Sequence, residues 1–505
     1  MTRALTIGLD IGTTGARAVL IDALGEVLAV KESSYPLLTP RPGWAEQMPK
    51  DWEDAAFESL KAVAARADRP DDVRAIGLTG QMHGLVLVDR LLRPLRPAIL
   101  WCDLRTVSQR RDLEEKLGVP RLVGYTGNLL LEGFQAPKIA WVREHEPKLL
   151  DRTAHVLLPK DFIRLRLTGE LWTDDSDASG TGYFDPKRRV WSQPMLDELE
   201  IDTAWLPGVC DSATVAGRLT QSAGERIGLP AGLPVAAGAG DQPAGGVASG
   251  IIADGDVAIT IGSSGVVFVA TQEYPSALDG RAQCGAHVLP ETWSLMGVTQ
   301  SAGLSLRWFR DRFAPGSSYK ELIQEAASSP PGSRGLLWLP YLQGERTPHL
   351  DADARGAIVG LTSAHERSDI TRAVLEGVAF SLRDAADVIR DIGLPMTDFT
   401  LAGGGSRSLL WCELIAATFD ASMNIELEGR GPAFGAALLA ASASGVFGSI
   451  AEACQATEGS RVTVDPDPVL VRAMESSIGR YRDLYPALLP ANRKAAEAQL
   501  IGFDT

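Results

Sequence analysis

Apolar residues alternate at Ile7, Leu9 and Ile11, which predicts a strand with one buried face. Gly12-Thr13-Thr14-Gly15 then reverses the chain, and Ala18 to Ile21 reads as the returning strand, so 6–22 is a predicted hairpin. The pattern recurs at 256–271, DVAITIGSSGVVFVAT. Val257, Ile259 and Ile261 stand in register with Ile7, Leu9 and Ile11, and Gly262-Ser263-Ser264-Gly265 with the first turn. The same strand, hydroxyl-rich glycine turn and strand thus open each half of the chain.

Between the hairpins the pattern predicts a third strand at 27–38 and a helix at 50–67, with Trp52, Ala56, Leu60 and Val63 on one face. A buried strand at 73–79 runs into Gly80-Gln81-Met82-His83-Gly84. An apolar strand, AILWCD at 98–103, ends in Trp101 and Asp103 before Arg105. Helices are expected at 106–117, after Pro137 with Ile139, Trp141 and Val142 inward, and at 157–167. TDDSDASGT at 173–181 lacks the spacing of a calcium loop and reads as a loop or helix cap. A short strand at 235–237 leads through Gly238 and Gly240 to Asp241, Gln242 and Pro243, which places Asp241 at a helix N-cap. Gly250 to Gly255 is the expected hinge. In the second half, helices are predicted at 299–313, 368–392 and 408–419, and a strand at 335–341 leads into GERTPH. A strand at 399–402 precedes Gly403-Gly404-Gly405-Ser406-Arg407, and helix and tail follow Pro466.

A length of 505 residues suits two domains of about 250, divided here at 1–250 and 251–490 with a tail at 491–505. The net charge of -15 argues against a nucleic-acid or anionic-membrane partner. Five scattered cysteines without CxxC spacing read as reduced thiols of a cytoplasmic protein. Asp10 interrupts the only early apolar run, so no signal peptide is expected. The uncharged stretch 431–451 holds four glycines and three serines, too many for a spanning helix, and reads as a closely packed buried one.

Glycines at both ends of a turn let backbone N–H groups crowd round an anion. Gly12, Thr13, Thr14 and Arg17 are therefore candidate nucleotide contacts in the first half, and Gly262, Ser263 and Ser264 in the second. Gly404, Gly405 and Arg407 are candidates for adenine and ribose. Two facing domains with such turns would clasp a nucleoside triphosphate. Asp10 is a lone carboxylate in an apolar strand, costly without a partner. Magnesium beside a phosphate would supply one, against the plainer reading of a solvated turn Asp. Asp10 aligns with Thr260, so only one half carries the acid. Met82 and His83 sit where open α/β sheets place ligand contacts, although a structural histidine would look the same. Capping is the competing explanation for Asp241.

The duplicated hairpins with one acid, Asp241 after its glycines, GAIVGLTSAHERSDITRAVLEG at 356–377 and LAGGGSRS at 401–408 together resemble the FGGY carbohydrate kinase family across nearly the whole chain. The resemblance implies an α/β fold of two actin-like ATPase (ribonuclease H-like) domains with a catalytic cleft between them. GQMHG, ILWCDLRT and DASGT are similar to the branch that phosphorylates D-xylulose on its terminal hydroxyl with ATP and Mg²⁺. The resemblance implies Asp241 as proton acceptor, Asp10 near magnesium, and Met82 and His83 on the sugar. Gln81, Trp101, Asp103 and Gln242 join them as candidate sugar contacts. Gln242 and Cys102 depart from the Asn common at each position. Another ketose or a polyol is the alternative substrate, and a non-catalytic sugar sensor the remote alternative. A homodimer is the one macromolecular assembly expected.

Overall fold

The computed structural model describes residues 4–276, 278–427 and 430–501. The main sheet of the first half is built from β1 (Leu5–Ile11), β2 (Gly15–Asp22), β3 (Val27–Ser34), β4 (Val73–Gly80), β5 (Val215–Arg218), β6 (Pro234–Ala236) and β7 (Ala239–Gly240). They form one sheet in the order β5-β6-β4-β1-β2-β3, with β7 extending along β4. The helices that matter for the site are α1 (Pro49–Ala64), α2 (Gln135–His145), α3 (Pro159–Thr168) and α4 (Asp241–Ala248). The third strand stops at Ser34, before Pro36, and AILWCD is strand only at Ala98–Ile99 before it turns.

The second half repeats the plan with β8 (Asp256–Ile261), β9 (Gly265–Thr271), β10 (Gln283–Ala286), β11 (Trp293–Thr299), β12 (Asp398–Ala402), β13 (Met423–Glu426) and β14 (Arg461–Val464). Their order is β10-β11-β9-β8-β12-β13-β14. In both sheets a hairpin's first strand pairs antiparallel with its return and parallel with a later strand, β1 with β4 and β8 with β12. Helices α5 (Gly303–Phe313), α6 (Arg367–Asp391), α7 (Leu409–Phe419), α8 (Pro432–Ala443) and α9 (Pro468–Ile501) complete the set. Helix α9 runs through the boundary expected at 490, and residues 502–505 of the expected tail lie outside the described residues. No helix among the described residues is long and apolar enough to cross a membrane.

Alternation along β1 sets the layers. Ile7, Leu9 and Ile11 face a core with Trp52, Ala56, Leu60 and Val63 of α1. The other face carries Gly8 and Asp10, beside Gly77 and Thr79 of β4. Helix α8 lies on that second face, although its sequence belongs to the other half. A Cβ on Gly8 would stand 1.8 Å from the Ala433 carbonyl oxygen, and one on Gly77 1.8 Å from that of Ala436. Gly435 of α8 meets α4 in the same way, 1.9 Å from the Ala244 oxygen. The stretch 431–451 is thus a buried helix up to Ala443, and it breaks there before a second short helix at Ile450–Ala456.

Gly77→Ala should destabilise the protein by about 3 kcal/mol or leave it unfolded, because neither backbone can give way to a methyl group. Gly124→Ala, in an exposed helix with nothing within 4 Å of the new Cβ, should be neutral or slightly stabilising. Thermal melts of the two variants side by side test the contact, and equal melting would refute it.

Candidate active site

Each hairpin turn presents its amides outward because its carbonyls are taken from within. Gly12 O accepts from the Tyr35 hydroxyl and from Gln81 Nε2 at 3.3 Å. Thr13 O accepts from Gln47 Nε2 at 2.7 Å, and Thr14 O from the Tyr35 N–H at 3.3 Å. In the second turn, Gly262 O accepts the Gly303 N–H at 2.8 Å, and Ser263 O those of Ala302 and Leu304 at 2.9 and 3.1 Å. No acceptor among the described residues takes the N–H of Thr13, Thr14, Ser263 or Ser264. Both turns therefore have free amides and hydroxyls that could receive an anion. They differ in length: Gly12 N–H bonds Gly15 O, whereas Gly262 N–H bonds Ser264 O, both at 3.0 Å. Asp10 consequently faces Arg17 across its hairpin, and Thr260 faces Val266 across the other. Gly403 and Gly405 press on Ile261 at the end of β8, and Gly404 and Arg407 are exposed beside them.

Asp10 lies in the field of Asp241, more than 200 residues away in the chain. Burial pushes the Asp10 pKa up to about 7, the Asp241 charge adds to the rise, and Arg17 opposes it. The Asp10 Oδ1 is buried without a hydrogen-bond partner. Asp241 is the first residue of α4 and Gly240 its N-cap, so the expected N-cap assignment is off by one and the carboxylate does not cap. Burial lifts Asp241 to about 6, against the pull of the Gln242 N–H and side chain. No cluster of three or more His, Cys, Asp or Glu among the described residues can hold a metal. A single orphaned carboxylate oxygen does fit magnesium, which keeps most of its shell as water and phosphate oxygen.

Below Asp241 the chain from β4 turns sharply at His83, whose φ of 68 is left-handed. The buried Lys138 holds that bend, donating to His83 O at 2.8 Å and Gly133 O at 2.6 Å. His83 Nδ1 lies 2.7 Å from Gly180 O. Since a carbonyl only accepts, Nδ1 carries the proton and Nε2 is left as an acceptor. Burial lowers the His83 pKa to about 3, so the ring is neutral. Met82 packs on Gly240, where a Cβ would fall 2.8 Å from its sulfur. Met82, His83, Phe134 and Gln242 wall a cavity closed from the second half by Phe268 and Met296. Its volume is about 30 Å³, room for water and not for a sugar.

Three other sequence candidates lie elsewhere. Gln81 and Trp101 turn to the phosphate side: Gln81 braces the first turn, and Trp101 Nε1 donates to Thr13 Oγ1 at 3.0 Å. Asp103 is fully buried, both oxygens taken by Arg105 and the Ala45 N–H, so it has no face for a ligand. Its role is to fix the Trp101 turn. Lys138 escaped the sequence reading, although a lysine on the buried face of α2, beside Ile139 and Val142, was the available signal. The stretch 173–181 is a short strand (Trp172–Asp174) and helical turns rather than a loop, although Asp174 does cap. Asp174 accepts from the Ser176 hydroxyl, which takes the Gly240 N–H at 3.3 Å, and pairs with the buried Lys160 at 2.6 Å. That network fixes the residue before Asp241.

The FGGY family of carbohydrate kinases matches over both its domains, the N-terminal at residues 5–248 and the C-terminal at 257–444. The chain belongs to the FGGY family of carbohydrate kinases. It is 37% identical to the xylulose kinase of Bacillus subtilis, over 95% of this chain and 96% of that one. A crystal structure of a Brucella ovis protein titled xyloylose kinase superposes with a TM-score of 0.91 at 36% identity, over 96% of this chain and all of that one. Gluconate kinase from Lactobacillus acidophilus has a TM-score of 0.92 at 26% identity, over 97% and 99% of the two chains. The same fold is thus shared by proteins of different named substrates.

An acid whose pKa is higher folded than unfolded stabilises the fold below about pH 4, and loses that contribution as pH rises through its folded pKa. For Asp10 that loss runs from about 4 to about 7. Asp10→Asn in the ligand-free FGGY protein should therefore melt about 2–4 °C higher than wild type at pH 8. The gain should be small at pH 4. A gain equal at both pH values would show that Asp10 carries no buried-charge cost.

Proposed function

We propose that the protein transfers the γ-phosphoryl group of ATP to the terminal hydroxyl of D-xylulose, giving D-xylulose 5-phosphate. The observation that carries the reading is that Asp10, in the strand before one phosphate-type turn, lies in the field of Asp241, whose neighbours Gly240 and Gln242 meet Met82 and the His83 cavity. Xylulose kinases among the relatives support the choice of sugar. Residues 1–250 supply the sugar site and both acids, and the second half supplies the glycine-rich nucleotide elements and the far wall of the cavity.

Asp241 takes the hydroxyl proton as the sugar oxygen bonds to the γ-phosphorus and the β–γ bridging oxygen leaves with ADP. A carboxylate raised to about 6 is still charged at neutral pH, and a better base than an ordinary one. The amides and hydroxyls of Thr13, Thr14, Ser263 and Ser264 hold phosphate oxygens, with Arg17 nearby. Asp10 would hold magnesium, whose charge offsets that building up on the transferring group. His83 Nε2 accepts from a sugar hydroxyl, and Met82 fills the apolar face. The small volume of the cavity requires the halves to part for sugar entry and to close over it, excluding water.

Asp241→Asn should stay folded and still bind sugar and ATP by calorimetry, with kcat down by about 10² or more. Retained turnover would remove Asp241 as the base. A coupled ADP assay over ketoses, aldoses and polyols tests the substrate: D-xylulose should show the highest kcat/KM. The gluconate kinase fold keeps a second reading alive, in which another sugar is preferred, and the same panel separates the two. His83→Ala should raise the sugar KM and leave that of ATP within about twofold, and the reverse would place His83 on the nucleotide side.

A further inference from the structure

The wall that closes the cavity from the second half is also tied to the first. Gln283 pairs with Met296 and Gly285 with Ser294 across β10 and β11, and all four line the cavity. Asn128 of the first half holds one edge of that wall. Its Nδ2 donates to Cys284 O at 2.7 Å, and its Oδ1 accepts the Cys284 N–H at 2.8 Å. Ser179 Oγ accepts the Ala286 N–H at 2.9 Å, and Trp293 Nε1 donates to Pro186 O at 2.8 Å.

The densest tie is at the loop 287–292 that joins β10 to β11. Arg189 of the first half donates from Nη2 to Leu289 O at 2.9 Å and Thr292 O at 2.7 Å, and from Nη1 to His287 O at 3.4 Å. Nη1 also pairs with the carboxylate of Asp175 in its own half. Asp175 is buried, and among the described residues Arg189 is the one cation paired with it. Three main-chain oxygens and a buried carboxylate thus share one planar donor fork, the geometry a guanidinium suits and an ammonium does not.

Local sequence prepares this reach. Arg189 ends the turn 186–189 between two short antiparallel strands, Phe184–Asp185 and Val190–Trp191. Asp185 Oδ1 accepts the N–H of Lys187 at 3.0 Å and of Arg188 at 3.2 Å, which fixes the turn. Arg189 then takes a left-handed φ of 56, a conformation that persists in a non-glycine residue where its surroundings hold it.

Asp175 leads from the tie toward the reacting group. It opens the short helix Asp175–Ala178, whose Ser176 lines the cavity and accepts the Gly240 N–H at 3.3 Å, one residue before Asp241. The Arg189 guanidinium therefore spans both walls of the cavity from behind. We propose that Arg189 is a positioning residue for the sugar, clamping the β10–β11 wall of the second half against the Asp175 turn of the first. This deepens the sugar-kinase reading above and rests on it. The clamp breaks when the halves part for sugar entry and re-forms when they close. Without it fewer molecules hold the wall in place at any moment, and the apparent sugar affinity falls by that fraction. The phosphate-type turns lie on other hairpins, so ATP binding is spared.

The test is steady-state kinetics of the full chain and its Arg189→Met, Arg189→Lys and Asp175→Asn variants, with thermal melts as a fold check. Hydrogen–deuterium exchange of the ligand-free proteins reads the wall directly. Arg189→Met should speed exchange over 283–293 and leave β1 unchanged. It should raise the D-xylulose KM about tenfold or more and leave the ATP KM within about twofold. Arg189→Lys and Asp175→Asn should fall between, and decide the matter if the Met variant does not fold. Unfolding of all three variants would mark a purely structural pair and overturn the assignment. So would unchanged exchange over 283–293, faster exchange with an unchanged xylulose KM, or an equal rise in both KM values. Wild-type protein inactive on every sugar would defeat the kinase reading itself. An active wild type with an indifferent Arg189→Met defeats only the role of Arg189.

Discussion

The site depends on one steric constraint, the contact of helix α8 with three backbones at points where one of the two partners carries no side chain. Gly8 in β1, Gly77 in β4 and Gly435 in α8 itself let main chains meet where any methyl group would overlap a carbonyl oxygen. Strand β1 carries Asp10, β4 leads to Met82 and His83, and α4 begins with Asp241. A single helix from the far end of the chain therefore sets the spacing of all three site elements. It also ties the halves together, because its alanines share a core with Val19, Ile21 and Ala244 of the first half.

That rigidity allows the costs seen at the site. Burial raises the proton affinity of both Asp10 and Asp241, and the Asp241 charge raises that of Asp10 further, which disfavours the ligand-free fold at neutral pH. A histidine sits in left-handed backbone, held there by a buried lysine. Among the described residues, the turns leave N–H groups without acceptors. Each of these is a deficit that a bound triphosphate, its cation or a sugar would fill. The energetic profile is that of a site organised before its ligands arrive, the basis of electrostatic stabilisation in phosphoryl transfer. The two turns are alike in carrying outward amides, and unlike in charge and in length. The acid-bearing turn is the longer one, braced by Gln47, Gln81 and Tyr35, whereas the other is braced by the start of α5.

How much was legible in the sequence depended on the range of the interaction. The twin hairpins followed from alternating apolar residues and bracketing glycines, which are local. The buried character of 431–451 followed from its small, uncharged residues. The Asp241 helix start followed from glycine and proline placement, although the cap fell one residue early. Trp101 and Asp103 were singled out as neighbours of an apolar run, and only packing showed that one points to the first turn and the other is consumed by Arg105. Lys138 sat in plain view on a buried helix face, and read as a helix residue because its carbonyl partners lie in distant loops.

The sequence by itself determined that two related halves each carry a phosphate-type turn and that only the first carries an acid. Residue spacing and glycine placement encode that within a few positions. The tertiary structure alone decided that carbonyls bonded from behind turn the amides outward, that Asp10 and Asp241 share one field, and that His83 keeps Nε2 as an acceptor. It alone brought Phe268 and Met296 of the second half against the cavity walled by Met82 and His83 of the first. These features need partners tens to hundreds of residues away, and the strength of a charge or hydrogen bond depends on the distance and burial that only packing sets.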